Sequence, residues 1–177
     1  MTELTIEITG YCPHDCSFCS SNANIQGKPL TFGRIKRFLE SNIPKEKRAP
    51  YFDRINISGG EPLSHPDFYR ILQLCEAWSK KVVIYSNAIK NLAYNTAVLD
   101  EVNVIANVCL VPNSKIHIPK GSFEVHYLDF IPQGRGRNIA PVSHHFSGNL
   151  TNSCGRCDNP VLLANGKVTS APCKKDE

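Results

Sequence analysis

Two hydrophobic rhythms alternate through the first hundred residues, and that alternation restricts the fold more than any other feature of this 177-residue chain. Leu4, Ile6 and Ile8 alternate with polar residues, a period of two that predicts a strand. Thr31 is placed to cap a helix in which Ile35, Phe38 and Leu39 fall at helical spacing. Ile55 and Ile57 mark a second strand that ends at Gly59-Gly60. Pro66 suits the first turn of the next helix, whose apolar face is Phe68, Ile71, Leu72, Cys75 and Trp78. Val82–Tyr85 reads as a third strand, and a weaker helical pattern covers Leu92–Leu99. Strands separated by helices predict a parallel sheet with crossover helices, an α/β fold.

After that the rhythm changes. Val102–Val111, Ile116–Ile118 and Phe123–Ile131 have strand character, and the links at Pro112-Asn113 and Pro119-Gly121 are too short for helices. Parallel strands need a dozen or more residues to cross over, so the sheet either turns antiparallel here or is a parallel barrel cut short. From Pro132 the chain is rich in Gly, Asn and Ser, and it reads as a loop-dominated segment ordered by a metal. The expected organisation is a core over 1–131 and a cysteine-rich extension over 132–177.

Composition narrows the function. Hydrophobic residues make up 41% and charged residues 20%, enough for an ordinary core. The apolar run near Val102–Val111 is interrupted by Asn103 and Asn107, short of the ~20 residues that span a bilayer. A net charge of +4 is too small to argue for nucleic acid. Lys45, Lys47 and Arg48, and Arg34, Lys36 and Arg37, are expected on solvated faces. Met1–Glu7 shows no export signal, so the expected location is the cytoplasm. Eight cysteines in a reducing compartment then point to metal binding or catalysis rather than disulfides. Cys75 and Cys109 stand alone in apolar patterns and read as buried small hydrophobes.

The other cysteines cluster. Cys12, Cys16 and Cys19 form CxxxCxxC in the loop after the first strand, with Phe18 as apolar cover. Three thiolates can hold three corners of a cubane iron–sulfur cluster and leave the fourth iron open for chemistry. A zinc site with His14 as fourth ligand is the alternative that the residues themselves permit. Gly59-Gly60-Glu61-Pro62 follows the second strand, where two glycines let backbone approach a ligand and Glu61 can fix an amino group. Ser86-Asn87 closes the third strand at the same rim, the expected place for a site in a parallel sheet.

With these residues the sequence resembles the radical S-adenosylmethionine (SAM) superfamily, best over Thr2–Asn87. The resemblance implies a shortened partial (β/α)6 barrel with a 4Fe-4S cluster on Cys12, Cys16 and Cys19. It implies that Gly59, Gly60, Glu61 and Pro62 hold the methionine end of SAM and that Ser86 and Asn87 contact it. The implied reaction is reductive cleavage of SAM to a 5′-deoxyadenosyl radical that abstracts a substrate hydrogen, with the protein supplying position and exclusion of water.

Cys154 and Cys157, the turn Asn165-Gly166 and Pro172-Cys173 resemble the opening of SPASM and twitch auxiliary-cluster extensions. Asn165-Gly166 is a two-residue hairpin signal, with Val161–Ala164 and Lys167–Ser170 as its strands. The run Phe130–Arg137 strengthens the likeness, although Gly134–Arg137 also fits a phosphate-contacting loop. Three cysteines fall short of a full SPASM set, and the Ser-Leu-Asp segment of such relatives is missing near Ile105-Ala106-Asn107. His144 or His145 is a candidate fourth ligand, for iron–sulfur or for zinc. His117, His126, Tyr127 and Asp129 are candidate pocket residues, but strand alternation puts His126 opposite Tyr127 and Asp129.

The leading expectation is therefore an enzyme that modifies a peptide or protein side chain, fed by a donor such as flavodoxin or ferredoxin. Alternatives are an enzyme on a small-molecule cofactor precursor, a glycyl-radical-enzyme activase, and a zinc-stapled binding module without enzymatic activity.

Overall fold

The structure is a computed structural model. It describes residues 2–14, 19, 21–86 and 159–170, and the backbone of 104–108 and 125–126. Its strands are β1 (Glu3–Thr9), β2 (Arg54–Gly59), β3 (Val82–Ser86), β4 (Val104–Val108), β5 (Val125–His126), β6 (Val161–Leu162) and β7 (Val168–Thr169). Its helices are α1 (Phe32–Ser41) and α2 (Phe68–Trp78), with a 3-10 turn at Pro62–Ser64. The described strands form one sheet in the order β5-β4-β3-β2-β1-β6-β7. Every neighbouring pair is parallel except the β6–β7 hairpin.

Parallel pairing of β3 with β4 and of β4 with β5 resolves the ambiguity of the sequence: the sheet stays parallel. The expected helix at Leu92–Leu99 and strand at Ile116–Ile118 lie outside the described residues. So does Phe123–Ile131 apart from Val125–His126.

The core forms between the sheet and its helices. Leu4, Ile6 and Ile8 of β1 and Ile55 and Ile57 of β2 are wholly buried. They pack with Ile35, Phe38 and Leu39 of α1 and with Phe68, Ile71, Leu72 and Cys75 of α2. The other face of β1 is buried as well, with Glu3, Thr5, Glu7 and Thr9 at 1–7% exposure. Simple alternation fits a strand with one wet face; here the polar face is covered too, as in strands enclosed on both sides.

Thr31 caps α1 as expected, its hydroxyl accepting from Arg34 N–H at 3.3 Å. α2 begins later than Pro66 suggests. Phe68 N–H donates to His65 O at 3.0 Å, so the chain makes a turn over His65–Phe68 before the helix starts.

The hairpin exists, but its loop differs from expectation. Leu163 N–H donates to Lys167 O and Gly166 N–H to Leu163 O, both at 2.8 Å. The loop is therefore the three residues Ala164, Asn165 and Gly166. A two-residue turn of this type needs positive φ at both central positions, and only Gly166 has it, at 84°. The hairpin sits on the free edge of β1, with Leu162 fully buried in the core. Thr5 N–H reaches Pro160 O at 3.1 Å, and Ala164 N–H reaches the Glu7 carboxylate at 3.0 Å. This part of the C-terminal segment is thus held by hydrogen bonds to the sheet. Arg34, expected in solvent, donates to Gly166 O at 2.6 Å and ties α1 to the hairpin. Among the described residues no helix is long and apolar enough to cross a membrane.

Candidate active site

The C-terminal ends of β1, β2 and β3 converge on one rim, as parallel pairing requires. From β1 the chain makes the cysteine excursion and returns at Leu30. Leu30 N–H donates to Ile8 O at 2.8 Å and Gly10 N–H to Lys28 O at 3.0 Å, closing the excursion at its base. Asn24 organises its interior. Asn24 N–H donates to Gly10 O at 3.1 Å, and Asn24 O accepts from Cys12 N–H at 3.0 Å and Gly27 N–H at 3.1 Å. Cys12 is thereby fixed and buried at 8% exposure, while Cys19 is half-buried. Cys16 and Phe18 lie outside the described residues.

The Gly59–Pro62 segment lies against this loop. Gly60 N–H donates to Thr9 O at 2.7 Å and Glu61 N–H to Tyr11 O at 2.8 Å. A Cβ on Gly59 would fall on the Thr9 carbonyl, and one on Gly60 on the Tyr11 carbonyl. Gly59 also has a φ of 130°, in the region that disfavours a side chain. The backbone these glycines admit is therefore the chain's own, beside Cys12.

Glu61 is buried at 3% exposure. Its Oε1 accepts from Leu63 N–H at 2.9 Å, capping the 3-10 turn that Pro62 begins, and from Ser86 Oγ at 2.8 Å. These bonds give Glu61 a structural duty that its pattern alone did not suggest. Ser86 is buried as the last residue of β3, and Asn87 lies outside the described residues.

His65 is a residue that sequence reasoning missed. It is 4% exposed. Asp67 N–H donates to its Nδ1 at 3.0 Å, which leaves Nε2 to donate to Leu30 O at 2.8 Å. It pins the returning end of the cysteine excursion to the start of α2. A histidine just after GGEP carries no spacing signal for this role.

The remaining candidates separate cleanly. Cys75 is a core residue, and burial pushes its thiol pKa well up, so it stays an inert thiol. Cys109, Cys154, Cys157, Cys173, His117, Tyr127, Asp129, Gly134–Arg137, His144 and His145 lie outside the described residues. For His126 the backbone register alone is described; it pairs with Asn107.

A mostly parallel α/β sheet whose strand ends gather a cysteine loop, a Gly-Gly-Glu turn and a buried serine is the architecture of the partial-barrel class. The radical SAM superfamily model matches residues 6–106, more than half of the chain, and the chain belongs to that superfamily. No curated protein matches it. Membership makes it an enzyme with a 4Fe-4S cluster and SAM as cofactors, which overturns the zinc-stapled, non-enzymatic alternative. The described donors suit this: a buried, backbone-anchored thiol at Cys12 stands where the strand ends open, within one residue of the Tyr11–Glu61 bond.

Proposed function

We propose that Cys12, Cys16 and Cys19 hold the cluster and that Gly59, Gly60, Glu61, Pro62, Ser86 and Asn87 form the SAM seat. When bound, this group supplies the electron that cleaves SAM to a 5′-deoxyadenosyl radical. The chain's own residues supply posture. The observation that carries the reading is the bond pair of Glu61, to Tyr11 on one side and to Ser86 on the other, which joins the ends of three strands. Asn24 and His65 keep the cysteine loop closed at its base, and Glu61 and Ser86 are themselves buried where they meet.

The substrate we propose is a peptide or protein side chain, with flavodoxin or ferredoxin as electron source in the cytoplasm. Residues 1–131 then form the core and 132–177 the extension, in which Cys154, Cys157 and Cys173 hold a second iron–sulfur cluster. The pairing of Val161 with Thr169 supports this, because the chain enters β6 and leaves β7 at one end of one hairpin.

The test is anaerobic reconstitution with iron and sulfide, then dithionite and SAM, with chromatography for 5′-deoxyadenosine. Product from the parent and none from Cys16→Ala is expected; equal product from both removes the ligand assignment. About eight irons per chain supports the second cluster, and about four removes it.

A further inference from the structure

The turn from Glu61 to His65 holds the cysteine excursion at both of its ends. At the outgoing end Glu61 N–H donates to Tyr11 O at 2.8 Å, immediately before Cys12. At the returning end the His65 ring donates through Nε2 to Leu30 O at 2.8 Å. The turn between these two grips is braced internally. Leu63 N–H donates to the Glu61 carboxylate at 2.9 Å, Ser64 N–H to Glu61 O at 3.0 Å, and His65 N–H to Pro62 O at 2.9 Å. The ring has no choice of roles. Asp67 N–H can only donate, so Nδ1 accepts, and the neutral ring then carries its proton on Nε2, facing a carbonyl that can only accept. The ring is buried, so both bonds are shielded from competing water.

We propose that His65 is a positioning residue for the iron–sulfur cluster. The inference rests on the assignment of Cys12, Cys16 and Cys19 as ligands and adds what sets the distance between the two ends of the ligand loop. Backbone bonds tie the returning end to β1, through Leu30 N–H on Ile8 O and Gly10 N–H on Lys28 O. Leu30 O itself precedes Thr31 O, the first acceptor of α1, so the helix does not use it and His65 does. The His65 bond therefore makes the link these backbone bonds do not make, from the returning end to the turn that fixes the outgoing one. With both ends referred to one rigid turn, the span that the cysteines bridge is set before metal arrives, and less ordering is left for the metal to impose. The same turn carries Glu61, so the ligand loop and the seat proposed for SAM share one frame.

Two substitutions separate the ring's two bonds. Asn places an oxygen as many bonds from Cβ as Nδ1, so His65→Asn keeps the acceptor for Asp67 N–H and loses the reach to Leu30 O. Gln places an amide nitrogen as many bonds from Cβ as Nε2, so His65→Gln keeps the donor to Leu30 O and loses the other bond. Each removes one bond of a buried ring, so the two should lower Tm by similar amounts. Iron release should not follow Tm. From the anaerobically reconstituted full chain, release to excess ferrozine should be about tenfold faster in His65→Asn and close to the parental rate in His65→Gln. Amide exchange over Gly10–Cys12, read by mass spectrometry, should quicken in His65→Asn and not in His65→Gln. Equal release from the two variants, or release that tracks Tm, overturns the proposal and leaves His65 a stabilising residue only. The parent gives a check that needs no variant: nitrogen chemical shifts of the His65 ring that put the proton on Nε2 support the proposal, and a proton on Nδ1 overturns it. A parent that makes no 5′-deoxyadenosine removes the ligand assignment; a parent that makes it while both variants release iron alike removes only this inference.

Discussion

Ser86 Oγ donates to Glu61 Oε1 across 2.8 Å, although the two residues lie 25 apart in the chain. The bond joins the end of β3 to the loop after β2. Because the same oxygen accepts from Leu63 N–H, one carboxylate sets both the turn and the neighbouring strand end. Glu61→Ala should lower stability by about 1–3 kcal/mol, since it takes the acceptor from both Leu63 N–H and the buried Ser86 hydroxyl. Ser86→Ala should cost about 1 kcal/mol, because Leu63 keeps its cap. Denaturant unfolding measures both, and SAM cleavage should fall further in Glu61→Ala than in Ser86→Ala.

Glycine substitutions should divide by what surrounds them. Gly60→Ala places a methyl on the Tyr11 carbonyl and should displace the cysteine loop, with loss of bound iron. Gly33→Ala, within α1, meets only Arg37 Nη1 at 3.6 Å and should stabilise by about 0.5–1 kcal/mol. Iron content after reconstitution, with Tm alongside, checks the pair. Normal iron in Gly60→Ala would show that the loop tolerates the shift.

Two acidic residues predict opposite pH slopes. Desolvation raises the Glu76 pKa above its ordinary value of 4.5, so its folded form resists ionisation. Its favourable contribution is complete below that value and is lost as pH rises through the folded pKa. Glu76→Gln should therefore raise Tm at pH 7 and have little effect near pH 4. Asp53 is held below its ordinary 3.8 by the Lys80 hydrogen bond first and the Thr2 N–H second. Its contribution is present above that value and is lost as pH falls through the lower folded pKa. Asp53→Asn should lower Tm at pH 7 and lose that effect at strongly acid pH. Thermal melts across pH read both signs.

Arg34 gives the hairpin an anchor from α1, through Gly166 O, beside its bonds to β1. Arg34→Met keeps the aliphatic stem and removes the donor, and it should cost about 1–2 kcal/mol. Amide exchange at Leu163 and Gly166 should quicken more than exchange in β2. Equal protection in parent and variant would show that pairing with β1 alone holds the hairpin.

Much of this was legible locally. The alternation of Leu4, Ile6 and Ile8 and the helical spacing of Ile35, Phe38 and Leu39 are properties of residues two to four apart. Each became the expected strand or helix. The cysteine spacing and Gly59–Pro62 were readable for the same reason, since each motif is a short run of chain. Tertiary packing decided the rest. It turned the glycines toward Thr9 and Tyr11, spent the Glu61 carboxylate on Ser86, and buried the polar side of β1. It also set the hairpin beside β1, where Ala164 meets Glu7 across 157 residues of sequence. Periodicity reports which face of an element is apolar; it carries no information on which distant backbone will lie against that face. By itself the sequence determined the first strands and helices of the sheet and the superfamily of this radical SAM enzyme. Only the folded sheet decided which of them touch, because a hydrogen bond depends on ångström-scale approach between segments that the chain leaves far apart.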